Sequence, residues 1–68
     1  MMDDKVKVSF NEWMDSAMKY EEINMFDMAY KRYIIAYDMA NRCEDESAKF
    51  ALEGINRCKK KLEEECLR

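Results

Sequence analysis

The chain has 68 residues with a formal charge of -3, 49% hydrophobic and 40% charged residues, and neither histidine nor proline. A chain of this size forms one small domain and buries only roughly 60% of its unfolded surface, so efficient packing or a partner must supply the stability. The acidic balance argues against nucleic acid and anionic membranes as partners, because both draw their affinity from lysine and arginine, and the high apolar content argues against a disordered chain.

A single glycine, Gly54, and few β-branched residues after the first ten positions predict an all-helical fold. Cys43, Cys58 and Cys66 lack the paired spacing of a zinc site, and no histidine completes one, so no metal or cofactor is expected and the thiols are expected to be reduced. Met1 to Lys5 lack the basic start and apolar run of a secretion signal, and no apolar stretch is long enough to span a bilayer. A cytoplasmic protein without membrane contact is therefore expected.

Residues 1–8 are predicted to form a flexible arm, the alternating Lys5-Val6-Lys7-Val8 being too short to hold itself as a strand. A single domain is predicted over 9–68. Ser9 and Glu12 have the spacing of a capping box, with the serine oxygen accepting from a first-turn N–H and the glutamate reaching back. The first helix is accordingly placed from Phe10 to about Glu22, with Phe10, Trp13, Ala17 and Tyr20 on one face and Met14 and Met18 beside it.

Asn24 is predicted to cap a second helix running from about Met25 to Arg42, with Asp27 near its positive end. The connection is so short that the two helices must be antiparallel neighbours. The polar face of the second helix (Asp27, Lys31, Asp38, Asn41, Arg42) is narrow, so it is covered on more than one side. Ala29, Tyr33, Ala36 and Phe26 are placed against the first helix, and Tyr30 and Tyr37 against the next. Met28, Ile35 and Met39 form a further stripe at i, i+7 and i+11. Glu44-Asp45-Glu46-Ser47 reads as a turn before a third helix from about Asp45 to Glu65, along which Ala48, Ala51, Ile55, Cys58, Leu62 and Cys66 repeat. Cys58 and Cys66 read as small core residues on this helix, Lys59 to Lys61 as partners of its negative end, and Gly54 as the mark of a close backbone approach.

Trp13, Ala17 and Tyr20, followed by Phe26, Ala29, Tyr33 and Ala36, resemble the tryptophan, small-residue and tyrosine pattern of a tetratricopeptide repeat over about residues 10–43. The match departs from the pattern at Ser16, where leucine is usual, and at Asn41, where proline usually closes the repeat. The resemblance implies a helical hairpin with the third helix as a C-terminal cap. Ala17, Phe26, Ala29, Tyr33 and Ala36 are also similar to the three-helix microtubule-interacting-and-transport domain, although the break at Glu44 comes early for it. The same spacing also fits an ordinary helical hairpin whose aromatics only fill a core.

On the repeat pattern the partner-binding groove falls on Asn11, Met14, Asp15, Met18, Glu21 and Glu22. Repeats that clamp a C-terminal carboxylate place lysine, arginine or asparagine at such positions. This acidic, methionine-bearing set implies instead a basic or apolar protein segment, with the soft methionines adapting to its shape. Asp15, Glu21 and Glu22 read equally well as an ordinary solvated face. The stripe Met28, Ile35 and Met39 is a candidate for self-association as a homodimer, unless the third helix or Val6 and Val8 cover it. The expected function is that of a non-catalytic adaptor or regulator, with a self-assembly unit or a small inhibitor of a larger protein as the alternatives. Without histidine, a general base would have to be a carboxylate or lysine with a strongly shifted pKa, and Glu21 with Glu22, and Glu63 to Glu65, sit in polar surroundings where such shifts are not expected.

Overall fold

A computed structural model describes residues 2–66, which form three α-helices and no strand: α1 (Asp4–Glu22), α2 (Phe26–Arg42) and α3 (Ala48–Cys66). Met1, at the start of the predicted arm, and Leu67 and Arg68, at the end of the predicted domain, lie outside the described residues. The helices run up, down and up, with α2 in the middle packed against both neighbours. The chain measures 43 × 19 × 12 Å.

α1 starts at Asp4 and not at Phe10, which shortens the predicted arm. Asp3 is its cap: the side chain accepts from the Val6 N–H at 2.8 Å, and Asp4 adds negative charge at the positive end of the helix. Once that turn is nucleated, each further residue gains a backbone hydrogen bond, and this outweighs the small propensity deficit of Val6 and Val8. Ser9 and Glu12 are therefore interior helical residues and form no capping box.

Both connections are tight because each helix ends in a left-handed residue. Asn24 (φ 62°) follows α1 and Glu44 (φ 53°) follows α2. The Met25 N–H donates to Tyr20 O and Asn24 N–H to Glu21 O, and Asp45 N–H donates to Ala40 O and Glu44 N–H to Asn41 O. Each set is a Schellman closure, made here without glycine. Asn24 thus terminates α1 and does not cap α2, whose cap residue is Met25 with no side-chain bond. The closure at Glu44 also displaces the start of α3 from Asp45 to Ala48. Asp45 accepts from the backbone N–H and hydroxyl of Ser47 in the intervening turn.

Two clusters make the core. Phe10, Ala36, Ala40 and Ala51 are buried together, with Trp13, Met14 and Tyr37 packed on them. Ala17, Ala29, Tyr33 and Cys58 form the second, with Tyr20, Phe26, Tyr30 and Ile55 around them. The alanines let the backbones approach, and the aromatics fill the space that this leaves. Cys58 is buried as expected, which pushes its thiol up. Cys66 is exposed, so it is not a core residue. Lys59 to Lys61 precede the last turn of α3, which carries no basic residue; Lys61 instead lies 3.8 Å from Glu64 in an exposed pair.

Gly54 faces the ring of Tyr33 so closely that a β-carbon there would lie 2.6 Å from two ring atoms. Tyr33 is fully buried and cannot swing away. Intrinsic helix propensity alone favours Gly54→Ala by about 1 kcal/mol. Overpacking of this kind costs about 1–3 kcal/mol and dominates. Urea denaturation should show Gly54→Ala to be less stable than the natural chain by about 1 kcal/mol, an unusual sign for Gly→Ala inside a helix.

Candidate functional site

The fully buried Tyr33 ring leaves one polar atom to satisfy. Its hydroxyl donates to Glu21 Oε1 at 2.7 Å, and Glu21 in turn accepts from Arg57 Nε at 2.9 Å and Nη2 at 3.2 Å. Arg57 Nη2 also reaches the Tyr33 oxygen at 3.4 Å, and its guanidinium lies 5.9 Å from the ring centre. Residues from α1, α2 and α3 are thereby clasped at one point. The Glu21 side chain retains 22% of its exposure and that of Arg57 54%, so solvent screens the pair and its value lies in fixing geometry more than in energy.

The clasp also shifts the groups that make it. Hydrogen bonding from Arg57, ahead of the opposing effect of burial, lowers the Glu21 carboxyl below its ordinary 4.5. Burial, and then the bond to Glu21, pushes the Tyr33 phenol from 10.0 up to about 12. Glu21 raises Arg57 above its already high value.

Because α1 and α3 both run antiparallel to α2, they are parallel to each other, and the Glu21–Arg57 bridge sets their register. Seven residues back, two helical turns, Met14 on α1 and Phe50 on α3 lie at the same level, with Met18 between Met14 and Glu21. A groove thus runs between α1 and α3 and is closed at one end by the clasp. Beside the clasp, Met18, Glu21, Glu22 and Arg57 line a hollow of about 190 Å³. Phe50 is 54% exposed and Met18 50%, although both are large and apolar.

The groove residues expected from sequence fall into three groups here. Asn11, Asp15 and Glu22 are exposed, Met18 is half-exposed at the hollow beside the clasp, and Met14 is half-buried against both core clusters. Glu21 has its carboxylate committed to Tyr33 and Arg57. Sequence reasoning missed Phe50 and Arg57 as groove residues. The two are i and i+7 on one face of α3, a signal that exists in the chain and means little until Glu21 supplies the register.

On the outer face of the α1–α2 pair, Ile35 is 39% exposed and Met28 and Met39 are half-buried. Arg32 completes their stripe at i, i+4, i+7 and i+11. Its guanidinium carbon lies 5.4 Å from the Trp13 ring centre and 5.2 Å from that of Tyr20, so the cation is stacked on two rings of α1. Among the described residues, no group of three or more His, Cys, Asp or Glu is placed to hold a metal ion, and no helix is long and apolar enough to cross a membrane.

No protein-family model matches the chain, and no curated protein and no solved structure matches it.

The clasp gives the fold a pH window. Glu21 is lowered on folding, so the stability it contributes is present above 4.5 and is lost as pH falls through its lowered value. Tyr33 is raised, so its contribution is present below 10.0 and is lost as pH rises toward about 12. Urea midpoints measured across pH should form a plateau that falls at both ends. Tyr33→Phe should flatten the alkaline limb and cost about 1 kcal/mol on the plateau.

Proposed function

We propose that the chain is a non-catalytic protein-interaction module, a tetratricopeptide-like hairpin with α3 as its cap, which holds a segment of another protein in the groove between α1 and α3. The observation that carries this reading is the pair of exposed apolar side chains, Phe50 and Met18, on the two walls of one groove. A small chain with few buried residues gains nothing from leaving both in water, and exposed apolar surface of this kind marks interaction sites.

The walls differ in character and so suggest what fits. Asn11, Asp15 and Glu22 border the α1 side, while Lys49, with its ammonium 5.4 Å from the Phe50 ring centre, and Glu53 flank the α3 side. The occupant carries apolar anchors for Met18 and Phe50 and a lysine or arginine for the acidic α1 border. Full burial of a Met or Phe side chain yields about 1.5–3 kcal/mol, so two half-exposed ones supply about the same, roughly 1.5–3 kcal/mol, together. Micromolar binding requires about 8 kcal/mol. Contacts along the whole groove are therefore needed, which favours a peptide of several turns, helical or extended, over a single docked side chain.

Selection of a displayed random-peptide library on the intact chain, with counter-selection on Phe50→Asp, tests the reading. Enriched peptides should combine aromatic or aliphatic anchors with lysine or arginine and should lose binding to Phe50→Asp, whose helical circular dichroism stays unchanged because Phe50 is exposed. Enrichment of peptides that bind Phe50→Asp equally well, or no enrichment, would contradict it.

A further inference from the structure

A second surface, away from the groove, has chemistry of its own. Arg32 lies over Trp13 and Tyr20 with its Nε buried and without a hydrogen-bond partner, and among the described residues it makes no ion pair. A guanidinium has five N–H donors, and the aromatic faces satisfy its charge but none of its donors. Met28 and Ile35 lie within one turn of Arg32 on either side and Met39 one turn beyond, so the unpaired cation sits inside an apolar stripe. Lys19 and Lys31 are exposed nearby on α1 and α2, with Glu12 at one edge. Next to Tyr20, Ser16, Lys19, Glu22 and Ile23 line a hollow of about 400 Å³, and Ile23 is 63% exposed.

We propose that this α1–α2 face docks an amphipathic helix of a partner protein whose central glutamate or aspartate pairs with Arg32 while its flanking apolar residues cover Met28, Ile35 and Met39. The charge pattern selects the occupant. A purely apolar partner would seal a cation with unmet donors under hydrocarbon, which costs far more than the apolar contact returns. A second copy of this chain, docked about a two-fold axis through the middle of the stripe, sets two Arg32 guanidinium groups side by side, where like charges repel. A carboxylate satisfies the remaining donors in a charge-assisted geometry, and the two rings hold the guanidinium in place for it. The helical form follows from the stripe itself, whose spacing matches apolar anchors one turn apart on a facing helix.

Trp13, the single tryptophan of the chain, reports directly on this site because it lies beneath Arg32. The test is a titration of the intact chain, followed by tryptophan emission, with an alanine-based helical peptide that carries leucines one turn before and one turn after a central glutamate. The same peptide with glutamine at the centre is titrated in parallel. The glutamate peptide should bind at least about tenfold more tightly, and Arg32→Gln should abolish the difference. Ile35→Asp, which leaves Arg32 and Trp13 in place, should lose both peptides with its helical circular dichroism unchanged. Equal affinity of the two peptides, a preference that survives Arg32→Gln, retention by Ile35→Asp, or no binding of either peptide overturns the proposal. So does an emission change with acetate alone, at matched carboxylate concentration, as large as that with the peptide, since the site would then bind a bare anion. Light scattering that shows an Ile35-dependent dimer would likewise overturn it. Phe50→Asp should leave this binding intact, so failure here and failure of the groove reading are distinguishable.

Discussion

The packing of Tyr33 against Gly54 is the constraint on which the other contacts of this fold depend. A tyrosine ring that is fully buried in a three-helix layer needs a neighbouring backbone without a side chain, and Gly54 is the only residue of the chain that provides one. Burying the ring also buries one end of a hydroxyl, which must find an acceptor or forfeit about 1–3 kcal/mol. Glu21 is that acceptor, and a partly buried carboxylate in turn requires a cation, which Arg57 supplies. Each contact thus creates the need that the next one meets, and the sequence of contacts ends only where Arg57 reaches solvent.

That chain of dependence also shapes the surface. α1 and α3 touch α2 far more than each other, and the bridge from Glu21 to Arg57 fixes their mutual register. The register puts Met14, Met18 and Phe50 along one groove. The two neighbours of α2 do not hide all of its apolar residues, and its outer stripe falls on the opposite side around Arg32. The buried residues at the helix contacts are mostly alanine, which allows close packing at the cost of little apolar area per residue. A fold with so modest a core has large side chains to spare for its two faces.

Much of the hairpin was legible in the sequence. Ala17, Ala29, Tyr33 and Ala36 were expected at the contact between the first two helices; all four are buried, but the Tyr33 ring lies on Gly54 of α3, with its hydroxyl on Glu21 of α1. Gly54 was expected to mark a close approach, and it does. These features are local or periodic, and periodicity survives translation into structure. The helix ends were less legible, because Ser9, Asn24 and Asp45 are all good cap residues by chemistry, and the choice among competing caps rests on backbone conformation. Asn24 and Glu44 take left-handed φ values, and at Glu44 nothing in the residue type announces it. The candidate sites were legible only in part. Met18, Asp15 and Glu22 take their places on α1 from the periodicity of the first helix alone, whereas Arg57 pairs with a residue 36 positions away, and Phe50 gains meaning only through that pairing. Arg32 drew no expectation from the sequence, because its place depends on the rings of Trp13 and Tyr20, which lie beneath it only once α1 and α2 pack together.

The Tyr33 ring lies directly on the Gly54 backbone and so brings α1, α2 and α3 into one register. Proton NMR of the intact chain tests it most directly, because protons held over an aromatic face are shifted upfield by the ring current. Strong nuclear Overhauser cross-peaks are expected between the Gly54 α-protons and the Tyr33 ring protons, with at least one of those α-protons shifted well upfield of its random-coil position. Gly54 α-protons at random-coil shifts with no cross-peak to Tyr33 would contradict it.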